Sequence, residues 1–197
     1  MGLKLPSVLQ KLGRQISTLA TPVLSFPARI QQTVSYRDGF PVTTYKSIAD
    51  ITAATAKLQW TSDPWHGKLD IIKHPTFMEE AIHRHPNYAG DCDDYAAYWC
   101  VALEKAKLAD EQWFATGFWL ADGKIAGHAV CVFRCGDRWY YAGNWNNSVP
   151  IEIDSRTAWV DDMGKRASSK VFAASMWVAS RASDDALLLS RPTIVRV

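Results

Sequence analysis

Gly90-Asp91-Cys92-Asp93-Asp94-Tyr95, Gly127-His128 and Asn144 are the residues of this chain whose types and order could do covalent chemistry. A thiol at the first turn of a helix feels the positive end of the macrodipole and N–H groups without intrahelical partners, and both favour thiolate. The same N–H groups can hold a developing oxyanion. Gly90 allows the close approach that the turn before such a helix needs. A histidine supplies a base, and an amide oxygen beside it can accept one imidazole N–H and fix the tautomer. Cys92, His128 and Asn144 therefore read as nucleophile, general base and acid, and orienting residue. Each alone has a plainer reading, as a buried inert cysteine, a satisfied strand histidine or a surface amide. It is their order and spacing that point to chemistry.

These residues need a helix and a hairpin to bring them together. A helix is expected over 91–108, capped by Asp91, with Tyr95, Trp99, Leu103 and Ala106 as its buried stripe. Strands are expected over 113–120, 126–134 and 138–144. Cys135-Gly136-Asp137 between the last two reads as a three-residue hairpin loop with glycine in the left-handed position. In that register His128 pairs with Asn144, their Cβ atoms roughly 4.5–5.5 Å apart on one face. A two-residue Gly136-Asp137 turn would pair His128 with Trp145 instead, and Asn146 is the backup amide.

The rest of the chain gives coarser signals. Helices are expected over 45–59, with Ser47 as cap, and over 76–83. Between them runs a loop rich in Pro, His and Asp, containing Asp63, Pro64, Trp65, His66, Gly67, Asp70, His74 and Pro75. A strand is expected over 170–178, a short helix after Ser183 and a strand-like end over 193–197. Residues 1–40 form a basic amphipathic N-terminal extension, 41–180 the main domain and 181–197 a tail. In the extension Lys4, Lys11, Arg14, Arg29 and Arg37 stand without an acid before Asp38, and Leu5, Val8, Leu9, Leu12, Ile16 and Leu19 recur at helical spacing. Such a segment fits docking on another protein or subunit, a membrane surface or a transit peptide. Lys11 and Arg14 interrupt any apolar core of a secretory signal, and Pro6 stands where a myristoylation signal wants Ser or Thr.

From about Trp60 to Asn147 the chain resembles the transglutaminase-like cysteine peptidases of bacteria and their phages, within the broader papain-like group. The resemblance is carried by the Gly90–Ala96 block GDCDDYA and the Gly127–Phe133 strand GHAVCVF, with Asp63-Pro64, Asp70 and Pro75 as weaker points. It implies an α+β papain-like/transglutaminase-like fold, with the nucleophile helix packed on an antiparallel sheet. It also implies Cys92 as nucleophile, His128 as base and acid, and a third member on the next strand. That third position is commonly Asp in the family, whereas Asn144 stands here, and an amide stabilises an imidazolium less. The implied reaction is acyl transfer from a protein or peptide amide, chiefly peptide-bond hydrolysis, with deamidation and transglutamination as variants. The rival is a structural or interaction module, such as a phage virion component that keeps the fold with little turnover. Both readings expect a cytoplasmic or virion-associated protein.

Asp91, Asp93 and Asp94 put three carboxylates beside Cys92, which raises a thiol pKa and opposes the helix dipole. Some relatives of the kind just named bind calcium with acids flanking their cysteine, and a hard cation takes such oxygen ligands. The plainer reading is that Asp91 caps the helix and the other acids are first-turn, solvated charges. No other cofactor is expected. Cys92, His128, Cys131 and Cys135 do not suit zinc, because strand alternation points His128 and Cys131 to opposite faces. Cys131 and Cys135 lie four apart in one strand, and Cys92 and Cys100 about 12 Å apart along one helix, so reduced thiols fit better than two disulfides.

Composition narrows the partners. A net charge of +2 over 197 residues, with no Lys/Arg stripe interleaved with aromatics, argues against nucleic acid. No apolar run is long enough to span a membrane, and no phosphate-binding glycine loop, dinucleotide fingerprint or GxSxG elbow occurs. Nine tryptophans are many for this length and either fill the core or line a groove for an extended peptide.

Overall fold

The structure is a computed structural model that describes residues 40–61, 72–84, 90–190 and 192–197. The basic extension (1–39), the Asp63–Asp70 part of the upstream loop with His66, and His85 lie outside the described residues.

Three helices precede the sheet: α1 (Ile48–Thr55), α2 (Pro75–Arg84) and α3 (Cys92–Ala106). Ser47 caps α1, its side chain accepting from the Asp50 N–H at 3.2 Å. Asp91 is the N-cap of α3, which ends on Lys107 in the left-handed conformation. Strands β1 (Glu111–Ala121), β2 (Lys124–Cys135), β3 (Arg138–Ala142) and β4 (Ile151–Ile153) follow, then α4 (Trp159–Arg166), β5 (Ala173–Arg181), β6 (Leu187–Leu189) and β7 (Thr193–Val195). The seven strands form one antiparallel sheet in the order β4-β3-β2-β1-β5-β6, with β7 also pairing β5. The coarse expectation of an α+β domain with an antiparallel sheet holds.

Both faces of the sheet are covered, which explains the hydrophobic content. Residues 93–103 of α3 are all buried, more than a single stripe, because α1 and α2 pack on the side away from the sheet. Trp99 stacks on Phe133 with ring centroids 6.2 Å apart, and Ala129, Cys131, Phe133, Phe114, Trp177 and Ala179 complete that face. The other face holds Trp113, Ala115, Val130, Val132, Tyr141 and Met176 against Trp159, Val160 and Met163 of α4. Trp99 and Trp159 are fully buried, and Trp113, Trp119 and Trp177 nearly so. Most tryptophans thus fill the core, although Trp60 is exposed.

Three expectations need correction. Helix 45–59 is shorter, and α4 and β4 carried no signal in the reading above. The segment after Ser183 is a tight turn and then β6, with Ala182 N–H donating to Ala186 O at 2.9 Å. Its buried Asp185, at φ +66°, accepts from Val42 N, Lys105 Nζ and the nearby Arg181 Nη1, and the two long-range partners, Val42 and Lys105, outweigh a local helix. The C-terminal segment, expected as a tail, therefore supplies two strands to the sheet. Finally, the β2–β3 turn has two residues, not three. Cys135 pairs with Arg138, and Gly136 takes positive φ (+59°), the place of glycine in a type II′ hairpin. β3 then ends at Ala142, before Asn144.

Candidate functional site

Cys92 opens α3, and its position is set by both ends of that helix. At the C-terminal end Cys135 Sγ donates to Leu108 O at 3.1 Å, tying the end of α3 to the end of β2. Cys92 lies at the opposite end of that helix, about 24 Å away at 1.5 Å per residue, and it packs on the cluster that contains Ala129.

The N-terminal end of α3 is held by charge. Asp94 is fully buried and accepts from the Lys73 backbone N–H at 2.6 Å, from Lys73 Nζ at 2.6 Å and from the Asp91 N–H at 3.2 Å. Its side chain folds back so far that a Cβ on Gly90 would lie 1.7 Å from Asp94 Oδ2. Gly90 is required by that contact. Burial pushes the Asp94 carboxyl up to about 6, against the opposing pull of Lys73. Asp94 is thus a structural clamp rather than a solvated acid or a cation ligand. Its carboxylate is neutralised by Lys73, which leaves Asp91 and Asp93 as the acids beside the thiol. Asp93 is nearly buried, and its Oδ1 accepts from the Asp94 N–H at 3.1 Å. The expected calcium set of Asp91, Asp93 and Asp94 accordingly becomes Asp91, Cys92 and Asp93, whose donor atoms lie within 4.8 Å of one another. A thiol in that set suits a hard cation poorly.

His128 is placed by β2. Alternation turns Ala129, Cys131 and Phe133 toward α3 and Val130 and Val132 toward α4. His128 falls with the second group and pairs across β1 with Gly117. Its ring lies flat on the Trp145 indole, centroids 3.8 Å apart and planes 11° from parallel. Nε2 is buried and makes no hydrogen bond. Burial alone pushes the imidazole down to about 3, so it is neutral near pH 7. The structure does not bring the two together: Cys92 packs on the α3 face of the sheet, the His128 ring lies on the α4 face against Trp145, and Nε2 makes no hydrogen bond.

Asn144 does not face His128 as a cross-strand partner. The shorter turn moves the register by one residue, and Asn144 sits in a bend beyond β3 with Oδ1 buried and unbonded. Asn146 also lies past the ladder, opening a 3-10 helix (Asn146–Ser148) with its amide near Val149 O.

The remaining sequence candidates have structural roles. None of the four cysteines is in a disulfide. Cys100 and Cys131 are buried in the core, and burial pushes Cys131 well above the usual thiol range. His74 is buried with Nδ1 2.8 Å from Thr76 Oγ1, and His83 contacts Glu79 at 2.9 Å. Glu79 also accepts from Thr43 Oγ1 and Tyr98 OH, which fastens α2 to α3. The sequence carried no signal for Lys73, which lies 21 positions from the acid it neutralises, and it offered Trp145 only as the partner of His128 under the alternative two-residue turn. Among the described residues no helix is long and apolar enough to cross a membrane. No protein-family model matches the chain, and no curated protein matches it.

Proposed function

We propose that this chain catalyses thiol-dependent acyl transfer on a protein or peptide amide, with peptide-bond hydrolysis as the main reaction. The observation that carries the reading is a cysteine at the first turn of a long, buried, charge-clamped helix, in a fold that also holds a buried imidazole whose Nε2 has no partner. A general base must be neutral to accept a proton, and one that burial holds near 3 takes it only once that burial is relieved. In the reaction His128 takes the proton of the Cys92 thiol, and the sulfur adds to the carbonyl carbon. First-turn N–H groups of α3 stabilise the oxyanion. As the C–N bond breaks, His128 returns the proton to the leaving amine. Water then adds to the thioester, and loss of the thiolate gives the acid. A lysine amine in place of water gives transglutamination, and a glutamine side chain as donor gives deamidation. The transfer needs a rearrangement on substrate binding that brings the Nε2 edge from the α4 side to the face of the sheet that carries the sulfur.

The structural-module reading is favoured by the placement of the His128 ring on the face of the sheet away from Cys92, with no hydrogen bond on Nε2. Alkylation separates the two. Cys92 is expected to react with iodoacetamide near neutral pH faster than the same thiol in the unfolded chain, and His128→Ala is expected to slow it about a hundredfold. Equal folded and unfolded rates, with no effect of His128→Ala, would establish the structural module.

A further inference from the structure

The residue that faces the imidazole of His128 is Trp145, not an amide. The 3.8 Å, 11° stack covers one ring face and leaves the ring edge, where both nitrogens lie, clear of the indole. Trp145 is itself held in place. Trp119 packs against it with centroids 6.5 Å apart at 53°, and both belong to the α4 side of the sheet. It is also the N-cap residue of the 3-10 helix Asn146–Ser148. Across β1, the strand partner of His128 is Gly117, which has no side chain. Neither of these two neighbours carries a titratable atom.

We propose that Trp145 is the positioning residue for His128, setting the plane of the imidazole and offering a π face to the imidazolium that forms during acyl transfer. The proposal rests on the acyl-transfer reading, because positioning matters only if His128 moves a proton. An imidazole usually has its plane fixed by a hydrogen bond to one nitrogen. Among the described residues Nε2 has no such bond, and a flat aromatic contact holds the ring instead. The negative face of the indole attracts a cation above it, which is the service a carboxylate gives elsewhere. Two effects on proton affinity then compete. The π face favours the charged form, while burial against it disfavours that form. Burial wins in the resting state, since the group is pushed down to about 3. Water should reach the ring if the indole is removed, and the titration should then return toward the usual ~6.5.

Three variants of Trp145 test this, read by the NMR titration of His128 in histidine-labelled protein and by the pH profile of Cys92 alkylation. Trp145→Phe keeps an aromatic face and should hold the alkylation rate within about threefold of wild type. Trp145→Leu keeps burial without a π face. It should leave the His128 titration low but cut the His128-dependent rate about tenfold. Trp145→Ala should cut the rate as much and move the titration up toward ~6.5. Equal rates for the Phe and Leu variants would overturn the positioning role, and that pair still decides if the Ala variant fails to fold. The two readings fail differently. If His128→Ala leaves wild-type alkylation unchanged, the acyl-transfer reading falls and this one with it. If His128→Ala slows alkylation but Phe and Leu behave alike, only the role of Trp145 falls.

Discussion

Asp94 and His128 are both buried ionisable side chains of the candidate site, and they are held by opposite means. Asp94 accepts three hydrogen bonds, two of them from Lys73, in space that only a glycine at position 90 leaves open. His128 accepts none and donates none, and is fixed by a flat contact with Trp145. Polar clamping makes the thiol end of the site a structural fixture, because a buried carboxylate that loses its cation is very costly. Stacking holds the imidazole without using its nitrogens. The contrast teaches that of these two groups the one with more hydrogen bonds is spent on the architecture, while the other is held by packing that leaves Nε2 unbonded.

The largest way to break the comparison is at the clamp. Asp94→Ala should destabilise the fold by about 3 kcal/mol or more, since it strands Lys73 beside a buried helix start. Gly90→Ala should be of similar severity, because its Cβ would displace the same carboxylate. Denaturant unfolding measures both, and a loss below about 1 kcal/mol for Asp94→Ala would mean that no clamp exists.

The next effect is the pH dependence of stability, which sets the two groups against each other. His128 has a folded pKa of about 3, below its unfolded value. Between those values the unfolded chain binds a proton that the folded chain refuses, so stability should fall as pH drops from ~6.5 toward ~3. At pH 5 the cost should be about 2 kcal/mol. His74, also pushed down by burial, acts in the same direction. Asp94 opposes them. Its folded pKa of about 6 lies above the unfolded 3.8, so it loses stability as pH rises through that window and recovers it on acidification. Wild type and His128→Gln compared between pH 7 and pH 4 isolate the histidine, and parallel curves would remove the claim that it is buried neutral.

Smaller effects sharpen the picture. Asn144→Ala should cost less than about 1 kcal/mol, because its Oδ1 makes no hydrogen bond to lose. It should change Cys92 alkylation less than about threefold, and a tenfold loss would restore Asn144 as the orienting residue. Calcium should have the least effect. With Asp94 committed to Lys73, a melt with calcium and one with EDTA should differ by less than about 2 °C, whereas a larger shift abolished by Asp93→Ala would establish a cation site.

How much was legible follows from how local each signal was. Ser47, Asp91 and the Tyr95–Trp99–Leu103 spacing were enough for α1 and α3, because caps and helical periodicity are written within a few residues. The strands were legible as alternating apolar runs, and Asp122-Gly123 marks the β1–β2 turn, where both residues take positive φ. The segment after Ser183 misled because its turn depends on Asp185 reaching Val42 and Lys105, far away in sequence. Helix α4 was missed because its eight residues carry a short pattern in which Trp159, Val160 and Met163 matter only once the second sheet face exists.

The sequence by itself determined a cysteine at a helix N-terminus, a histidine on the second strand after it and an α+β domain with an antiparallel sheet. Caps, periodicity and turn residues act over short stretches, and they suffice for that. Only the tertiary structure decided the register of the β2–β3 hairpin, the pairing of Asp94 with Lys73 and the stack of Trp145 on His128. One residue of turn length moves every cross-strand partner by one position, and a burial partner many residues away has no local signature. The side chain beside His128 was therefore set by packing around a two-residue turn.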